Sequence, residues 1–281
     1  MTAVPLLVAS LTQPPDHSAT MSAPIIHFDY DGSPYGQKTK LLLEAAGVPF
    51  VKCDQPVILP RPDLEALGIT YRRIPLLAVG KDVYADSSLM IDVIASRLMA
   101  AGALETGARD KAFEAWGNAA FVEMLGLLKI DQLPAAFVRD RATIFPLVTR
   151  KDIATLRPSV VAGLRARMAQ AEGFLAATSD AEPFMGGARV SLADVHWIWS
   201  IRWGLTALGA AQEKGCGKRN FPKLWRAIGA LPASKPEVWV AEKVHETIRG
   251  AEYWSTEATT IMADDPLGLA VGTLISVEST E

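Results

Sequence analysis

Ile25-Ile26-His27-Phe28-Asp29-Tyr30-Asp31-Gly32-Ser33-Pro34-Tyr35-Gly36-Gln37-Lys38 is the stretch on which the reading of this chain turns. Ile25 to Tyr30 has the apolar run of a buried strand, and Gly32-Ser33-Pro34 breaks it. Lys38 to Ala46 then carries good helix formers until Gly47 stops them. The product is a βα step with a hydroxyl and a proline where the helix begins, the residue types that suit an N-cap and a first helical position.

Working outward, Phe50 to Cys53 reads as a second short strand, and a proline-rich crossing through Pro56, Pro60 and Pro62 leads to a short helix over Asp63 to Leu67. Leu76 to Val79 and Val83 to Asp86 read as strands joined by the turn Gly80-Lys81-Asp82, and Ser88 to Leu98 reads as a third helix. The order is β-α-β-α-β-β-α, two crossover steps and then a hairpin. Past residues 100–109, a linker with Gly102 and Gly107, the chain turns helical. Apolar stripes predict helices over Asp110 to Leu128 and Pro158 to Ala177, with further helices at Ser191 to Leu208, Phe221 to Leu231 and Pro236 to Arg249. An α/β domain over residues 24–99 is thus followed by an all-helical bundle over 110–250. Residues 1–23, with Pro14-Pro15, read as a disordered leader, and 251–281 as an extension in which Tyr253-Trp254 suit a lid and Leu274 to Val277 a short strand.

Composition narrows the function classes. At 281 residues, 49% hydrophobic and 21% charged, the chain is ordinary globular material. A net charge of −3 argues against a nucleic-acid binder, for which a basic domain is expected. No apolar run approaches the roughly 20 residues of a membrane-spanning helix. Cys53 and Cys216 form no C-x-x-C pair, and no histidine has a metal-ligand spacing, so neither a disulfide framework nor a metal site is expected. A reducing, cytoplasmic setting follows as the default.

The βαβαββα domain, the linker near residue 105 and the helical domain resemble the glutathione transferase superfamily, whose first domain is thioredoxin-like. Gly187-x-x-x-Ser191-x-x-Asp194 is similar to that superfamily's buried capping box, in which Ser191 caps an amide three residues on and Asp194 reaches back to the Ser191 amide. The crossing Gln55 to Asp63 resembles transferase-like proteins of fungi. Where many transferases carry Asn-Pro-x-Gly-x-x-Pro, this chain reads Gly68-Ile69-Thr70-Tyr71-Arg72-Arg73-Ile74-Pro75.

The resemblance implies glutathione as co-substrate and places Ser33 at the catalytic position. A free thiol has a pKa near about 8.5, so a hydroxyl donor at a positive helix end would favour the reactive thiolate. An ordinary N-cap accounts for Ser33 equally well. A serine cannot form a mixed disulfide, so thiol–disulfide exchange at this position is excluded; Cys53 reads as a buried residue of the second strand. By the same resemblance Pro75 is a cis-proline that presents the Ile74 backbone to the cysteinyl unit, and Asp86 and Ser87 hold the γ-glutamyl end, its ammonium and its carboxylate respectively. Arg61, with Arg72 and Arg73 as alternatives, is the candidate for the glycine carboxylate. Tyr30 and Tyr35 are alternative hydroxyl donors, with packing as the plainer reading of both. Tyr35, Phe113 and Trp116 are candidates for an electrophile pocket between the domains, although aromatics at helical spacing also suit a core. The cluster Trp197, Trp199 and Trp203 reads as core.

Two function classes follow. One is an enzyme that adds glutathione to a small hydrophobic electrophile, a homodimer by resemblance. The other is a non-catalytic interaction or regulatory protein that keeps the fold.

Overall fold

The structure, a computed structural model, describes residues 24–253, 261, 264–270 and 273. The leader expected over 1–23 and the strand expected at Leu274 to Val277 lie outside the described residues. Strands β1 (Ile25–Asp29), β2 (Val51–Asp54), β3 (Leu76–Val79) and β4 (Asp82–Ala85) form one sheet in the order β2-β1-β3-β4. β1 runs parallel to β2, pairing Phe28 with Cys53, and antiparallel to β3, pairing Phe28 with Leu76. Helices α1 (Pro34–Ala45), α2 (Pro62–Glu65) and α3 (Ser87–Val93) complete the βαβαββα order, and α3 runs on into a π-helical turn, Ile94–Leu98. This is the expected thioredoxin-like domain with a mixed sheet.

Every residue of β1 is buried, because both sheet faces are covered. On one face Ile25, Leu77 and Val79 join α1, α3 and the helical domain in a single apolar core. On the other, Ile26, Phe28, Cys53, Leu76 and Ala78 pack against Leu64 of α2 and against Val244 and Ile248. A strand covered on both sides reads as a continuous apolar run rather than an alternation.

The helical domain contains α4 (Asp110–Met124), α5 (Ala135–Arg141), α6 (Ile153–Phe174), α7 (Leu192–Thr206), α8 (Pro222–Ala230) and α9 (Ala241–Gly250). The almost wholly buried α7 is its axis. At its start Ser191 Oγ accepts from the Asp194 amide at 3.1 Å and Asp194 Oδ2 accepts from the Ser191 amide at 3.0 Å, the capping box expected from the sequence. The same carboxylate accepts from the Met185 and Gly186 amides, so it ties the incoming loop to the helix end. Gly117 of α4 lies so close to the His196 carbonyl that a methyl group there would stand 1.9 Å from it.

Of the boundaries that differ from the sequence reading, three bear on packing. The helix predicted from Pro158 begins at Ile153 and carries Pro158 inside it, where the proline has no N–H to donate to the preceding turn. The helix predicted to Leu128 ends at Met124 and tightens into a 3-10 turn. The helix predicted from Pro236 begins only at Ala241. The Lys52 amide donates to the Glu237 carbonyl at 2.9 Å and the Trp239 amide to the Lys52 carbonyl at 2.8 Å. Residues 237–239 therefore cover the free edge of β2, an edge that helical backbone there would leave unpaired.

Candidate functional site

The N-terminus of α1 opens on a cavity of 880 Å³ between the two domains. Ser33 is the N-cap. Its hydroxyl oxygen accepts from the Gly36 amide at 3.0 Å, and it is 1% exposed. The preceding turn is held from the helical domain, since Trp203 Nε1 donates to the Gly32 carbonyl at 3.2 Å.

Ile74 and Pro75 line the cavity at the start of β3, and the bond between them is cis. Asp86 and Ser87 line it at the start of α3. Asp86 caps that helix by accepting from the Ser88 amide at 2.8 Å, and its backbone holds φ 74°, a region that non-glycine residues rarely occupy. Ser33, Ile74, Pro75, Asp86, Ser87, Arg61 and Tyr35, seven of the positions singled out from the sequence, thus surround one space.

Phe113 and Trp116 do not line it. Both rings pack on Phe174, with centroids 5.1 Å and 5.3 Å away, and Trp116 Nε1 donates to Gln170 on α6. They face into the helical bundle because the α4 face that meets the first domain is the one carrying Glu114 and Phe121. The apolar wall comes instead from Phe121, Leu128, Phe137, Phe145, Trp203 and Leu208. Of the three tryptophans read as core, Trp203 therefore also serves the cavity. The α5 residues Phe137 and Arg141 went unread because a seven-residue helix shows too little periodicity to stand out. Tyr35 is wedged between Phe121 and Trp199, at ring-centroid distances of 5.0 Å and 4.9 Å, and burial pushes its hydroxyl pKa up to about 12. A tyrosine so held favours the neutral form strongly and serves as packing between the domains.

Arg61 is 3% exposed, and its guanidinium donates to the backbone carbonyls of Pro56, Val57 and Arg72. Bracing the crossing loop takes three of its N–H donors, while its charge bears on the cavity it lines. Arg141, from α5, joins the brace through the Val57 carbonyl and donates to the Tyr30 hydroxyl at 3.2 Å. Asp140 is the carboxylate of this cluster, paired with Arg72 and Arg141.

A second polar cluster closes the domain interface. Glu114 accepts from Ser88 Oγ at 2.9 Å and pairs with Lys38 at 3.4 Å and Lys111 at 3.2 Å. Burial pushes the Glu114 carboxyl up, but Lys38, Ser88, His196 and Lys111 together outweigh it and hold it below the ordinary carboxylate range. Lys38 is wholly buried, and burial lowers its pKa against the pull of Glu114.

Asp29, the last residue of β1, went unread in the sequence. It is 5% exposed beneath the first turn of α1, and its Oδ1 has no hydrogen-bond partner. Burial raises its pKa to about 7, against the lowering influence of the Tyr30 backbone, the Ser33 side chain and Lys52. An acid closing a fully buried strand was the signal available. The Cys53 thiol, pushed up to about 11 by burial, lies on the far sheet face and does not line the cavity. Tyr253 also stands away from the cavity, beneath the Lys81 ammonium 5.3 Å from its ring, so it does not cover it, and Trp254, the other residue of the expected lid, lies outside the described residues. Among the described residues no group of acidic, histidine or cysteine side chains suits a metal ion, and no helix is long and apolar enough to cross a membrane.

Residues 28–99 match the family model for the glutathione S-transferase N-terminal domain, and residues 127–233 match one described as domain of unknown function (DUF7962). A GST-like protein from Pseudomonas syringae is 21% identical, with 88% of this chain and 81% of that one covered at a TM-score of 0.57. A glutathione-S-transferase from Xylella fastidiosa is 16% identical, with 81% and 100% covered at 0.53. A serine-to-cysteine mutant of poplar glutathione transferase F1 is 14% identical, with 82% and 100% covered at 0.52. No curated protein matches the chain. At these identities the likeness shows the fold, which is that of the glutathione transferases in both domains.

Proposed function

We propose that the protein binds glutathione in this cavity, stabilises its thiolate and adds it to a small hydrophobic electrophile. The supporting observation is the convergence, around one cavity, of Ser33 at the start of α1, Ile74 with cis Pro75, and Asp86 with Ser87 at the start of α3, facing an aromatic wall supplied by the other domain. In this reading Asp86 pairs with the γ-glutamyl ammonium, and the Ser87 hydroxyl and amide take its carboxylate. The Ile74 backbone pairs with the cysteinyl unit. Ser33 then donates to the sulfur, where the α1 dipole also favours negative charge. The electrophile lies against Phe121, Phe137 and Phe145, so that binding aligns it with the thiolate. The field of Arg61 favours the glycine carboxylate at the cavity's other end.

A homodimer belongs to the same reading, built on the outer faces of α3 and α4, where Leu89 is 47% and Val122 55% exposed. So does a cytoplasmic setting, in which the cysteines stay reduced.

Turnover of glutathione with a generic aromatic electrophile is the test. Ser33→Ala should lower kcat roughly ten- to hundred-fold while leaving glutathione affinity within about two-fold, because its donor acts on charge that develops at sulfur. A Ser33→Ala variant as active as the wild type would remove Ser33 from the chemistry. The alternative, an interaction protein that keeps the fold without the reaction, predicts no turnover in either protein.

A further inference from the structure

The Ser33 hydroxyl has one proton and two claimants. Its oxygen already accepts from the Gly36 amide at 3.0 Å, so what remains to it is a second lone pair and the donation of its own hydrogen. One claimant is whatever anionic atom enters the cavity. The other lies beneath it: the Asp29 carboxyl, packed against the same first turn of α1 that Ser33 caps, where the Ser33 side chain favours its ionised form. Asp29 is wedged against the first turn of α1 so closely that a methyl group on Gly36 would stand 2.0 Å from Oδ1 and 2.3 Å from Oδ2. The carboxyl cannot turn toward water from that seat, and Oδ1 has no partner there. We propose that Asp29 is a positioning residue for Ser33, and that its protonation state decides whether the serine donates inward to Asp29 or outward to a sulfur anion in the cavity. This deepens the reading of the cavity as a glutathione site and rests on it.

With Asp29 neutral, its own O–H is available to the serine oxygen, and the serine proton is free for the thiolate. With Asp29 ionised, the carboxylate holds that proton and repels a second anion close by. The change falls near pH 7, where burial has moved this carboxyl. The charged groups that bear on Asp29 are Lys52 on β2 and Asp31 on the loop, and Lys52 is shared between Asp31 and Asp54, each at 2.6 Å. The first turn of α1 meets it at the Gly36 backbone, and the Ser33 side chain acts on it from the N-cap. No counter-cation is therefore dedicated to Asp29, and a thiolate at Ser33 and a carboxylate at Asp29 must titrate as a coupled pair.

Two measurements test this. Carboxyl NMR of the wild-type protein should show the Asp29 midpoint at least about one pH unit higher with saturating glutathione than with S-methylglutathione, which carries no ionisable sulfur. Equal midpoints with both ligands bound would overturn the proposal and leave the glutathione reading standing. Failure of both ligands to bind would overturn the two together. In Asp29→Asn, which keeps the shape and cannot ionise, the bend near pH 7 in the kcat/KM profile should vanish. A folded Asn variant that retains that bend would contradict the role given to Asp29.

Discussion

Asp29 sets the first prediction at the residue scale. Its pKa is raised on folding from 3.8 to about 7, so the folded state holds this proton more tightly than the unfolded chain does. The sign follows: its contribution is intact below about pH 4, declines as pH rises, and stands as a cost above pH 7. Asp29→Asn should therefore raise Tm at pH 8, by the equivalent of roughly 2–4 kcal/mol, and leave it nearly unchanged at pH 4. Thermal melts at the two pH values check this, and an equal effect at both would show that the carboxyl is not neutralised by burial. Gly36→Ala, which drives a methyl group into that carboxyl, should destabilise at every pH. Chemistry at Ser33 has its own residue-scale consequence. Neither Cys53 nor Cys216 reaches the cavity and both thiols are pushed up by burial, so the wild type should not exchange disulfides with glutathione, whereas Ser33→Cys should gain that reaction. A mixed-disulfide mass on the wild-type protein would contradict the assignment.

Elements carry the positions of these residues, and α7 is the one on which the most depends. Ser191→Ala should cost about 1 kcal/mol, the ordinary value of an N-cap. Asp194→Ala should cost more, roughly 3 kcal/mol, because it strands the amides of Ser191, Met185 and Gly186 in a site that is 0% exposed. Chemical denaturation of the two variants gives the order, and equal losses would mean that the loop amides find water. This motif was legible in the sequence because a capping box is local chemistry at a fixed spacing. The βα step at Ser33 and the hairpin at Gly80 were legible for the same reason. The edge pairing of residues 237–239 with Lys52 was not, since nothing local distinguishes a segment that covers a strand edge from the start of a helix. Phe113 and Trp116 were misplaced for a related reason. Helical spacing tells which residues share a stripe but not which neighbouring helix that stripe will meet, and theirs meets α6.

On the scale of the whole molecule, the cavity exists because two domains share one core across α1, α4 and α7, with Lys38, Ser88 and Glu114 satisfying each other at the seam. That seam predicts acid sensitivity. His27 and His196, both buried, have pKa values lowered by burial to about 3 and about 4, so between pH 4 and 6.5 the unfolded chain binds two protons there that the folded protein does not. Asp29 returns one in the opposite sense, leaving a net of about one proton. Stability should fall by about 1.4 kcal/mol per pH unit on acidification through that window, measured by denaturation at stepped pH, and a flat profile would show that the histidines are not held neutral. The grouping of Ser33, Pro75 and Asp86 around one space was legible from the order of the elements, whereas the brace of Arg61, Arg72 and Arg141 depends on an α5 that the sequence did not reveal. The central claim is that this space is built for glutathione. Calorimetric titration of the wild-type protein with glutathione tests it most directly: saturable heat that Asp86→Ala weakens at least about ten-fold is the predicted result. The absence of any heat at millimolar glutathione would contradict it.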